Sequence, residues 1–162
     1  MVVLSRRTYA LELAKRMGAC EVIRTQKEHE ARELALTLSE GHGYDRVIEA
    51  VGSQSSLDLA SALCAEYGRL VIAGYHQDGP RQVDMQQWNW RALDIINAHE
   101  RSIARYVGGL ERAVAAVMDG RMDPFPLFTH QTSLSGLDQA FELTRSRPDG
   151  FLKALVRIEA RA

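Results

Sequence analysis

The strongest constraint on this chain is an alternation. Short apolar runs at 1–4, 21–23, 47–51 and 70–73 take turns with stretches whose apolar residues recur at helical spacing. Ala10, Leu13, Ala14 and Met17 mark one helix face, with Thr8 placed to cap the helix and Gly18 to end it. Ala31, Leu34, Ala35 and Leu38 mark a second, broken by Gly41 and Gly43. Ala60, Leu63, Cys64 and Tyr67 mark a third, which the sequence ends at Gly68. Strands separated by helices and short connections pair in parallel, because only a crossover of this length brings the next strand back in the same direction. Parallel strands are buried on both faces, which suits runs such as Val47-Ile48 and Leu70-Val71-Ile72. The expected class is α/β, a parallel sheet flanked by helices.

The second half is less regular. Residues 76–91 read as a loop with Trp88 and Trp90 as anchors, and 94–99 as a further strand. Ile103, Val107, Leu110, Val114 and Val117 line a long helix whose middle is weakened by Gly108-Gly109. A turn carrying Pro124 and Pro126 follows, then a helix capped by Ser135 with Asp138 at its third position, then a strand at 152–158. At 162 residues with 46% apolar and 25% charged residues, the chain has the composition of one globular domain. A net charge of −1 gives no bulk attraction to nucleic acid or to a membrane surface, and no apolar run approaches membrane-spanning length. Cys20 and Cys64 lie far apart in apolar stretches, as expected of buried thiols in a reducing, cytoplasmic setting.

In an open parallel sheet, ligands bind beyond the carboxyl ends of the strands. Here those ends read Ser5-Arg6-Arg7, Val51-Gly52 and Ala73-Gly74, and glycine permits close approach to the backbone. A carboxylate at the end of the second strand of a dinucleotide fold bonds the ribose 2′-hydroxyl of NAD, whereas arginine suits the 2′-phosphate of NADP. Ser5, Arg6 and Arg7 offer no carboxylate and two guanidiniums, whose planar forks can each hold a phosphate. The competing reading is a solvated turn. Glu49, in the run Val47-Ile48-Glu49-Ala50-Val51, reads as a satisfied carboxylate at a sheet end rather than a general base.

The stretches LELAKRMGACEVI, GYDRVIEAVGSQSSLDLA, GRLVIAGY, GLDQAFEL and DGFLKALVRI, in this order and spacing, resemble the zinc-dependent medium-chain alcohol dehydrogenase family. The resemblance implies a Rossmann-like domain over 1–125, binding NADP or NAD, and a segment 126–162 that returns to a catalytic domain. It implies hydride transfer between an alcohol or polyol and the nicotinamide, with zinc as Lewis acid. By position it places Ser5, Arg6 and Arg7 at the adenosine ribose or its phosphate, and Val51 and Gly52 beside the adenosine half. It places Ala73, Gly74, Asn97, Ala98 and His99 near the nicotinamide, and Lys153 at the pyrophosphate, although a lysine on an edge strand is equally a surface residue. It also implies a homo-oligomer, a dimer or higher, paired through the region from Trp88 to His99, where core anchoring by the two tryptophans is the rival reading.

The departures from the family carry as much weight. Its first strand and G-x-G-x-x-G turn should precede Met1, and Gly41-His42-Gly43 follows a helix rather than a strand. In the strand order 3-2-1-4-5-6 the first strand is central. Without it the second and fourth strands lose their shared neighbour, so the expected sheet is incomplete at its N-terminal strand. The family's zinc ligands fall outside this sequence too. Two isolated cysteines, with His29, His42, His76, His99 and His130 at no ligand spacing, do not rebuild a tetrahedral site. Two functions follow as expectations: the cofactor-binding portion of an alcohol dehydrogenase-like oxidoreductase, without catalytic or metal-binding residues of its own, or a non-catalytic dinucleotide-binding or dimerisation module. A methyltransferase is weaker, since it needs a glycine-rich turn after its first strand.

Overall fold

The computed structural model describes residues 1–158. In chain order its elements are β1 (Val2–Ser5), α1 (Thr8–Arg16), β2 (Glu21–Arg24), α2 (Glu28–Leu38), β3 (Tyr44–Glu49), α3 (Gln54–Leu63) and β4 (Cys64–Ile72). There follow α4 (Met85–Trp90), β5 (Asp94–Asn97), α5 (Ile103–Met118), β6 (Phe128–Ser133), α6 (Leu137–Ser146) and β7 (Lys153–Arg157), with short 3-10 turns before β6 and α6. The chain divides into two compact units. One combines Met1–Arg24 with the chain from Ser102 onward, and the other is Thr25–Arg101.

Among the described residues every strand pairing is parallel. In the first unit β1 pairs with β2 in the register Val2↔Glu21 to Ser5↔Arg24, and β6 pairs with β7. Leu11 and Leu13 of α1 are buried along with Ile23 of β2, and Gly18 ends α1 in the left-handed region at φ +100°. In the second unit the order is β3-β4-β5. Leu57, Ala60, Cys64 and Leu70 form its core, against which Val47, Ile72, Trp88, Leu93 and Ile95 pack. The opposite sheet face carries exposed Ile48 and Ile96. Among the described residues the other edges of β1 and β3 pair with no strand. The pairs β2-β1 and β3-β4-β5 are what the order 3-2-1-4-5-6 leaves when its first strand is taken out.

Several local expectations need correction. The third helix stops at Leu63, not at Gly68. Cys64 is already extended, and Tyr67 takes φ +58°, which no helix continues through. Four residues of β4 then lie opposite one of β3, between the pairs Tyr44↔Cys64 and Arg46↔Arg69, so 65–68 forms a large bulge. The apolar spacing at 60, 63, 64 and 67 fitted a helix because the bulge buries Cys64 from an irregular backbone. The loop at 76–91 contains α4, whose first turn is capped by Asp84 accepting from Gln87 N at 2.9 Å. Trp88 is an anchor, packed on the core with its indole N–H on Ser61 Oγ, whereas Trp90 is 86% exposed. Ser135 does not cap α6. It bonds Ser133 Oγ within the 3-10 turn, and Gly136 holds the cap position. Nor does Thr8 cap α1; Arg7 holds that position with no side-chain bond. α5 forms as expected but buries no residue, leaving Ile103, Tyr106, Leu110, Val114 and Met118 exposed.

Candidate functional site

The second unit gathers Val51, Gly52, Ala73, Gly74, Asn97, Ala98 and His99 at the carboxyl ends of its three strands. Glu49 O accepts from Ala73 N at 2.8 Å and Gly74 N at 2.9 Å, and Ile72 O accepts from Ala98 N at 2.9 Å. Asn97 Oδ1 accepts from His99 N at 3.0 Å, and the His99 and Tyr75 rings lie 5.8 Å apart. The two glycines answer to the protein's own packing. A Cβ on Gly52 would stand 2.6 Å from Tyr75 O, where φ is also +87°. A Cβ on Gly74 would collide with the Glu49 carboxylate and Gly52 N. Close approach of two strand ends, rather than of a ligand, demands glycine at both positions.

The carboxylate at this junction is the most connected group in the unit. Glu49 is 3% exposed. Its Oε1 accepts from Val51 N and Gly52 N at 2.7 Å each and from Ser56 Oγ at 2.8 Å; its Oε2 faces His76 Nε2 at 3.0 Å. Burial, the largest single influence, pushes its pKa up. The bonds from Gly52, Ser56, Val51 and His76 together outweigh it and leave the pKa below the ordinary value. Glu49 is therefore the satisfied carboxylate the sequence suggests. Ser53 adds a capping box with Ser56 at the start of α3. Sequence reasoning missed the outer members. His76 Nδ1 accepts from Arg81 Nε at 2.9 Å, and Arg81 Nη2 donates to Gly52 O at 2.9 Å and pairs with Asp78. The only signal for them was a glutamate inside an apolar strand, which must find donors somewhere.

The first unit brings Ser5, Arg6 and Arg7 to the end of β1. Ser5 Oγ accepts from Arg7 N at 3.2 Å. The two arginines then diverge. Arg7 turns its guanidinium onto the carbonyl of Phe151, a residue 2% exposed. Arg6 is exposed and makes no hydrogen bond or ion pair among the described residues. Lys153 opens β7 with its side chain exposed, two residues beyond the carbonyl that Arg7 holds.

The residues present do not fit zinc. Among the described residues no three His, Cys, Asp or Glu side chains converge on one point. Burial pushes the Cys64 thiol up to about 11, with Arg91 pulling the other way, which disfavours the thiolate a metal needs. Cys64 Sγ instead donates to Ala60 O at 3.4 Å.

Comparison with known proteins agrees with this architecture. Residues 1–137 match the zinc-binding dehydrogenase family. An alcohol dehydrogenase of Cupriavidus necator is 25% identical over 160 residues, a match covering 97% of this chain and 42% of that protein. The chain thus spans less than half the length of the curated relatives it matches. The zinc-dependent alcohol dehydrogenase 2 from Streptococcus pneumonia superposes with a TM-score of 0.87 at 20% identity, over 99% of this chain and 45% of that one. A protein from Sinorhizobium meliloti 1021 bound to NADP superposes at 0.76 with 21% identity, over 96% of this chain and 44% of that one. The chain belongs to the zinc-binding dehydrogenase family.

Proposed function

We propose that this chain is the cofactor-binding portion of an alcohol or polyol dehydrogenase-like oxidoreductase that prefers NADP to NAD. The observation that carries the preference is the end of β1, with two arginines, no carboxylate, and one guanidinium left unengaged. The divergence of the pair divides their roles. Arg6 takes the 2′-phosphate, and Arg7 is a strut that ties this turn to Phe151. Ser5 supports the turn. Val51 and Gly52 border the adenosine half, and Ala73, Gly74, Asn97, Ala98 and His99 border the nicotinamide. Lys153 serves the pyrophosphate, and 126–162 leads back toward a catalytic domain. The NADP-bound relative of the same fold supports a nucleotide ligand. Substrate chemistry and zinc belong to other parts of the enzyme, and the 162-residue chain alone turns over no alcohol. Exposed Trp90 and the edge strand β5 support a homo-oligomer paired through the region from Trp88 to His99. Among the described residues no helix is long and apolar enough to cross a membrane; the reading places the enzyme in the cytoplasm with a small-molecule substrate and no nucleic-acid partner.

Calorimetric titration of the chain with 2′,5′-ADP and with 5′-AMP tests the reading. The bisphosphate should bind about tenfold tighter, a preference lost in Arg6→Ala, since one charge-assisted contact is worth roughly 1.5–3 kcal/mol. Equal binding of the two nucleotides, absence of binding, or a preference surviving Arg6→Ala would overturn it.

A further inference from the structure

We propose that His76 is a proton-operated latch that holds the segment 76–82 against the ends of β3 and α3. The argument begins with Arg81. A guanidinium only donates and does not lose its proton in proteins, so the 2.9 Å bond from Arg81 Nε requires an unprotonated, accepting His76 Nδ1. The ring proton is then on Nε2, where it donates to Glu49 Oε2 at 3.0 Å. A single tautomer satisfies both neighbours. The charged groups that face the ring are Glu49 from β3 and Arg81 and Asp78 from its own segment.

When His76 takes a proton from solvent, it goes to Nδ1. Two N–H groups, both on cations, then face each other across that contact, and the bond to Arg81 is lost. Glu49 keeps its bond to Nε2, which carries a proton in both states. The guanidinium that turns away is the one that also holds Gly52 O and Asp78. Its departure removes the segment's anchor on Gly52. What remains is the His76–Glu49 pair at the segment's start and, at its end, the Gln54 side chain, which pairs with the Gln82 backbone both ways, Nε2 to O at 2.8 Å and N to Oε1 at 3.0 Å. Neutral histidine closes the segment, and protonated histidine loosens it.

The test is nuclear magnetic resonance on the 162-residue chain from pH 8 to 5.5, with no nucleotide present, so its outcome is independent of the cofactor reading. At pH 8 the ring nitrogens should report the Nε2–H tautomer, and Arg81 Nε–H should be protected. Through the titration of His76 the Arg81 signal should collapse. The Gln82 amide, corrected for intrinsic pH dependence, should exchange about tenfold faster, the loss expected for one hydrogen bond to a charged group. His76→Gln, which keeps a donor toward Glu49 and cannot titrate, should remove the pH dependence, and so should Arg81→Met. An Nδ1–H tautomer at pH 8, or Arg81 and Gln82 signals indifferent to His76 titration in the wild-type chain, would overturn the latch.

Discussion

Replacing Glu49 by glutamine puts the junction of β3 and β4 to a quantitative test. The carboxylate accepts four bonds, from Val51 N, Gly52 N, Ser56 Oγ and His76 Nε2, from a position with no side-chain exposure. Glutamine keeps the shape but offers one acceptor oxygen and two new N–H donors. Its oxygen can serve two of the three Oε1 partners at uncharged strength, while its amide N–H points at the proton on His76 Nε2. Hydrogen bonds to a charged group contribute roughly 1.5–3 kcal/mol each, so partial loss should cost about 3 kcal/mol. Urea unfolding followed by tryptophan fluorescence reports this unit, because Trp88 and Trp90 both lie in 25–101. With a slope of roughly 1.5 kcal/mol/M the midpoint should fall by about 2 M at pH 7. The pH dependence carries the sharper prediction. Glu49's pKa is lowered on folding, so its stabilisation is complete above the ordinary value of 4.5 and is lost as pH falls through the folded value. Below that value the wild-type side chain is a neutral acid close to glutamine in shape and charge, and the two midpoints should converge. A midpoint change under about 0.3 M at pH 7, corresponding to roughly 0.5 kcal/mol, or a difference that persists unchanged in acid, would refute the four-donor account.

Gly74→Ala should destabilise the same unit by about 2 kcal/mol, since the added carbon meets the Glu49 carboxylate and lies 2.8 Å from Gly52 Cα; an unchanged melting temperature would show that the strand ends are not packed this closely. In native protein at pH 8, iodoacetamide should alkylate exposed Cys20 and spare buried Cys64, whose thiol sits at about 11; peptide mass spectrometry showing equal labelling would contradict that burial.

Much of the fold was legible because it rests on local regularities. The alternation of apolar runs with helical spacing carried the element order through β4 and the parallel sense of the pairings β1-β2 and β3-β4, and Gly18 marked the end of α1 as read. Legibility failed where tertiary context overrode spacing. Cys64 and Tyr67 continue a helical pattern on paper, yet a bulge with positive φ at Tyr67 buries the cysteine in a strand. α4 and β6 carry too few apolar residues to register as periodic segments.

The candidate site divides along the same line. Sequence alone determined that Arg6 and Arg7 follow one parallel strand and that Gly52 and Gly74 follow two others at their carboxyl ends, and that Glu49 among apolar residues had to be satisfied, because both follow from strand direction and the cost of burying a charge. Which donors satisfy it, that Gly52 is required by the Tyr75 backbone and Gly74 by Glu49 and Gly52, and that Arg7 is held by Phe151 while Arg6 is left open were decided only by the tertiary structure. Each joins residues distant along the chain, as Glu49 with His76 and Arg7 with Phe151, and no local pattern encodes a contact whose partners are brought together by packing.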